Sequence, residues 1–127
     1  MQKVRQAMIT VMPETEGKLL GIKASGRLTD QDYRDVYIPR VETLVREYGQ
    51  LRLLFFMDDS FTGWELGAMW DDAKYGLKYK NNFEKLAVVG GAKWIEAGAK
   101  LFAHFMPGEV KTFPADQVAA AWEWLKS

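Results

Sequence analysis

The sequence predicts an α/β fold: a mostly parallel mixed sheet with an N-terminal antiparallel hairpin and about four helices. Three observations carry that expectation. Two apolar runs without alternation, "LRLLFFM" at 51–57 and "KLAVVGG" at 85–91, have the character of strands covered on both faces. Stretches with a 3.6-residue period stand between strand-like runs, and such alternation within one domain implies right-handed crossovers. Near the N-terminus "PETEG" separates two short apolar runs, where Pro13 opens a loop and Gly17 can take positive φ.

In order along the chain, the hairpin strands are "AMITVM" (7–12) and "KLLGIKASGRL" (18–28). In the second, Leu20, Ile22 and Ala24 share one face and Lys23 and Ser25 the other, the pattern of a half-covered strand. "LTDQDYRDVYIPRVETLVREYG" then changes period. Thr29 and Asp32 form a capping box, Gly49 is the stop, and Tyr33, Val36, Tyr37, Val41, Leu44 and Tyr48 lie on one side. Pro39 removes a donor and crowds the carbonyl four residues back, so a kink or two abutting helices is expected. After the 51–57 strand comes a helix over 60–79, capped by Asp59 or Ser60. The 85–91 strand leads to a helix over 92–106 and a short strand, "EVKTFP" (109–114). The last helix, 115–126, has Asp116 in its first turn and Val118, Trp122 and Leu125 as its buried stripe, with Trp124 exposed off it.

At 127 residues the chain has room for one core, and 48% hydrophobic with 27% charged residues places it among globular proteins. Seventeen basic residues balance seventeen acidic ones, which argues against a nucleic-acid partner. The lack of cysteine excludes disulfides, thiolate catalysis and Cys-ligated zinc. "MQKVRQAMITVM" reads as mature sequence rather than a signal peptide. No apolar run approaches the roughly 18 residues of a membrane span. A soluble cytoplasmic domain is the expectation.

The stretch "MDDSFTGWELGAMWDDAKYGLKYK" (57–80) holds the main candidates. On a wheel of 100° per residue, Leu66, Met69, Trp70, Ala73 and Leu77 fill one arc, expected to face the sheet. Trp64, Ala68, Tyr75 and Tyr79 fill a second arc, expected to project away and to need a neighbouring helix, a second subunit or an apolar ligand. Asp58 and Asp59 end a central strand where open sheets bind ligands, but strand neighbours point to opposite faces and cannot easily share one cation. His104 sits in a last helical turn with no nucleophile paired to it. Gly90 and Gly91 make a strand-to-helix turn, and the complete phosphate-loop patterns are absent. No cofactor or metal is expected.

The order of elements resembles the STAS fold of sulfate transporters and anti-sigma-factor antagonists. The pieces "GRLTDQDY", the "IP" of the first helix, "FTGWE" and "KLAVVGGAKW" more closely resemble the small bacterial SpoIIAA-like family. The resemblance implies a sheet with helices largely on one face, and an architecture similar to CRAL-TRIO lipid-binding domains. Anti-sigma antagonists carry a phosphorylatable serine in a segment similar to "MDSSGLG". Here "MDDSFTGWELG" aligns Ser60, or alternatively Thr62, with it, and the bulky Phe61 and Trp64 depart from the pattern.

Two functions follow as expectations. The first is a non-enzymatic module holding a hydrophobic small molecule or lipid between helices 60–79 and 92–106, lined by Trp64, Trp70, Leu77, Trp94, Phe102 and Phe105. Tyr75, Tyr79 or His104 would be its polar anchors. The second is a STAS-type regulator binding a protein partner at the start of helix 60–79, tuned at Ser60 or Thr62. Either is compatible with a homodimer. An enzyme would need a nucleophile with its base, a metal cluster or a phosphate loop, and none is legible.

Overall fold

The structure, a computed structural model, describes residues 8–127; the N-terminal residues read above as mature sequence, and Ala7 of the first expected strand, lie outside them. β1 (Ile9–Val11) and β2 (Leu19–Ala24) form the antiparallel hairpin, with Ile9 opposite Ala24. β4 (Leu51–Met57), β6 (Phe83–Val89) and β7 (Glu109–Phe113) then add in parallel, giving the order β1-β2-β4-β6-β7. A separate parallel pair joins β3 (Arg27–Leu28) to β5 (Gly63–Trp64). The helices are α1 (Asp30–Asp32) running through a π-helical turn into α2 (Ile38–Tyr48), then α3 (Leu66–Lys78), α4 (Lys93–Ala103) and α5 (Val118–Lys126).

The capping box forms as the sequence implies. Thr29 Oγ1 accepts from Asp32 N at 3.2 Å while Asp32 Oδ2 accepts from Thr29 N at 2.9 Å. The disturbance at Pro39 is a π turn over Tyr33–Tyr37, in which the Ile38 N–H reaches back to the Tyr33 carbonyl. Proline offers no donor and crowds the Asp35 carbonyl, so the helix widens by one residue just before it. Gly49, at φ 74°, closes α2 in the left-handed region.

β4 is covered on both faces. Leu53, Phe55 and Met57 join the larger core with Ile22, Tyr37 and Val41 beneath α2, and Leu54 joins a smaller core with Trp122 and Leu125 of α5. Three helices therefore share one face of the sheet and α5 takes the other. Gly21 is forced by α5, since a Cβ there would stand 2.5 Å from a ring carbon of Trp122. Trp124 is half-buried rather than exposed and packs on Phe113, ring centroids 6.0 Å apart. α5 starts after Asp116, which therefore lies outside its first turn, and Tyr48 is 51% exposed at the end of the α2 stripe.

Two expectations about α3 are corrected. It begins at Leu66, with Glu65 as an N-cap that makes no side-chain bond, because Gly63 and Trp64 are drawn into β5 by pairing with β3. The facing of its two arcs also differs: the second turns inward, and of the first only Met69, Ala73 and Leu77 border the space above the sheet. Ala68 is fully buried, and Tyr75, Tyr79 and Trp64 pack against the larger core, while Leu66 is 83% and Trp70 71% exposed. The reason lies in side-chain size and polar pairing. Alanine at 68 lets the backbone approach closely, and the Asp72–Tyr33 and Tyr79–Glu42 hydrogen bonds on the same line of the helix fix that face inward.

Candidate functional site

α3 and α4 bury little of their own surface. Ala68 is the one fully buried residue of α3, and α4 has none. Between the two helices and the sheet lies a cavity of about 440 Å³, within the range of small-molecule sites. Its floor is Leu53, Phe55 and Met57 of β4 with Leu86 and Val88 of β6. α3 contributes Met69, Asp72, Ala73, Gly76 and Leu77. α4 faces them with Trp94, Ile95, Gly98, Ala99 and Phe102, and Phe105 follows just beyond the helix.

Small residues keep the space open. A Cβ built on Gly76 would sit 3.7 Å from the Phe102 ring, so the helices meet there, whereas one on Gly98 would meet nothing within 4 Å. The mouth is apolar as well: Leu77 is 53%, Trp94 58%, Leu101 63% and Phe105 56% exposed. Trp64 and Trp94 meet edge to face at 5.7 Å and close one side.

One polar chain reaches this wall. Trp64 Nε1 donates to the Tyr33 hydroxyl at 2.8 Å, and that hydroxyl donates to Asp72 Oδ1 at 2.8 Å. Burial pushes the Tyr33 phenol well above its ordinary value, aided by the nearby Asp72 charge. Burial also raises the Asp72 carboxyl, and the Tyr33 hydrogen bond opposes that rise. No lysine, arginine or histidine lines the cavity among the described residues. Asp72 escaped the sequence reading as a margin residue of the wheel. The available signal was its position four residues after Ala68 and three before Tyr75, a carboxylate on the inward line.

Of the nominated lining residues, Trp64, Leu77, Trp94, Phe102 and Phe105 border the cavity. Trp70 does not; it points to solvent. Tyr75 and Tyr79 stack on each other at 6.3 Å, and the Tyr79 hydroxyl donates to Glu42 at 3.2 Å, away from the cavity. His104 is exposed at the end of α4 and lines nothing.

Ser60 sits in the loop between β4 and β5, six residues before α3. Its hydroxyl donates to Asp58 Oδ1 at 2.7 Å and accepts from Gly26 N at 3.1 Å. Asp58 also accepts from Ser25, and although burial opposes it, these hydrogen bonds with the Lys23 charge hold its carboxyl below the usual range. Thr62 is exposed, its N–H bonded to the Gly26 carbonyl at 2.7 Å. Gly90 and Gly91, at φ 81° and 84°, form a tight turn over Met57, whose carbonyl would stand 2.7 Å from a Cβ on Gly90. No group of three or more potential metal-ligating side chains occurs among the described residues, and none of their helices is long and apolar enough to cross a membrane.

No curated protein matches this chain. Among solved structures, an uncharacterised Shewanella loihica protein with a SpoIIAA-like fold is similar over 98% of both chains, at 28% identity and a TM-score of 0.75. The sequence model of the SpoIIAA-like family matches residues 19–126. With that match spanning most of its length and the same fold in its structural neighbour, the chain belongs to the SpoIIAA-like family.

Proposed function

We propose that this domain is a non-enzymatic carrier or sensor that binds a hydrophobic small molecule or lipid in the cavity beneath α3 and α4. The observation that carries the reading is the cavity itself: about 440 Å³ walled almost entirely by apolar side chains. A concave apolar cleft of that size is what small hydrophobic ligands occupy. The large apolar side chains at its mouth, Leu77, Trp94, Leu101 and Phe105, gain burial when a guest is present.

The regulator reading has less beneath it. A phosphate on Ser60 would not sit on a helix N-terminus, because α3 starts at Leu66, and it would face the Asp58 carboxylate bonded to that hydroxyl. A homodimer through the exposed Leu66 and Trp70 is compatible with a guest below.

The test uses the apolar dye N-phenylnaphthylamine, read by its own emission and by quenching of Trp64 and Trp94. Saturable binding at one dye per chain is expected, and loss of it in Ala99→Trp, which fills the cavity from α4. Equal binding by both proteins, or no saturation in the natural one, contradicts the reading.

A further inference from the structure

Among the described residues, the cavity carries a single carboxyl, Asp72, in a wall otherwise free of charge. Its hydrogen-bond polarity is fixed by the chain behind it. Trp64 Nε1 has only a proton to give and gives it to the Tyr33 oxygen; the Tyr33 proton is then directed onto Asp72 Oδ1. Asp72 is thus held as an acceptor, and among the described residues no other hydrogen bond or ion pair reaches it. Asp72 is partly buried against apolar walls, where a carboxylate without a counter-charge is disfavoured, and burial raises its carboxyl. Among the described residues, no lysine, arginine or histidine lines the cavity to supply a counter-charge. The rings of Tyr37, Trp64 and Trp94 border the same space and are favourable neighbours for a cation.

We propose that the guest is an amphiphilic amine, its apolar body filling the cavity between α3, α4 and the sheet and its ammonium paired with the Asp72 carboxylate. This rests on the cavity being an apolar binding site and adds the chemistry of the polar end. It sets a sign: a fatty carboxylate of the same length finds no cation among the described lining residues and meets Asp72 as a like charge.

Titration calorimetry of the full chain near neutral pH, with dodecylamine, dodecanol and dodecanoate each below its micelle concentration, separates the possibilities. The amine should bind at least about ten-fold tighter than the carboxylate, with the alcohol between them. In Asp72→Asn the amine should lose about ten-fold while the alcohol changes little, its retained binding showing that the cavity is intact. Dodecanoate binding as tightly as dodecylamine, or an amine affinity unchanged in Asp72→Asn, overturns the amine assignment and leaves the cavity reading standing. Failure of all three probes to bind the natural protein overturns both.

Discussion

Replacing Asp71 by Asn should stabilise the protein at neutral pH and leave it unchanged near pH 4. Asp71 lies where α3 meets α1, facing Asp30, whose carboxyl already binds Arg34 at 2.6 Å. Two carboxylates at hydrogen-bonding range are both acceptors unless one carries a proton, and Asp71 Oδ2 is buried without a partner. Burial, then the hydrogen bond and like charge of Asp30, push the Asp71 carboxyl from 3.8 up to about 6, against Arg34 and Lys74. With the folded value above the unfolded one, the folded protein binds more protons across that interval. The associated stability is complete below pH 3.8 and is lost as pH rises through about 6. The full difference corresponds to roughly 3 kcal/mol, which solvent screening near the surface reduces to about 1 kcal/mol.

Asparagine keeps the shape and carries no charge, so urea unfolding should show the two proteins diverging by about 1 kcal/mol between pH 4 and 6.5, the variant being the more stable above. Two other carboxylates do not interfere with the comparison. Glu84 is held low by Lys18 and Arg52, and Asp58 is held low despite its burial, so both lose stabilisation below pH 4 in either protein. Parallel stability curves across this range, or a variant less stable at neutral pH, would refute the reasoning.

Other expectations follow from the packing. Gly98→Ala, in mid-α4 with open space for its Cβ, should stabilise the fold by about 0.5–1 kcal/mol in thermal unfolding. Gly21→Ala should destabilise by about 1–3 kcal/mol, since the new methyl lies inside the contact distance of Trp122; an unchanged melting temperature would mean α5 sits elsewhere. Tyr33→Phe strips a donor from Asp72 and an acceptor from Trp64, costing about 2–4 kcal/mol in urea unfolding. A double-mutant cycle with Trp64→Phe should then be non-additive.

The parallel sheet was legible because β4 and β6 are apolar on both sides, and only a strand covered twice tolerates that. Pro39 announced a disturbance because its missing donor is local chemistry. The face of α3 was not legible. Both arcs are apolar, so periodicity alone does not say which is inward, and the decision rests on tertiary partners: Tyr33 for Asp72 and Glu42 for Tyr79. The start of α3 failed for a related reason, as the pairing of Trp64 with Leu28 is a long-range event that capping preferences near Ser60 do not register. Trp64, Leu77, Trp94, Phe102 and Phe105, nominated from the sequence for a cleft between these helices, border the cavity, Leu77 from the arc expected to pack on the sheet. Asp72 was passed over because a charge at the edge of a stripe reads as solvated.

The central claim is that α3 and α4 roof an open apolar space rather than a packed interior. Crystals of the protein pressurised with xenon test it most directly, because dry apolar cavities take up that gas. A xenon site in contact with Phe55, Leu86 and Phe102 is the predicted result. The two helices packed flat on β4 and β6, with no xenon between them, would contradict it.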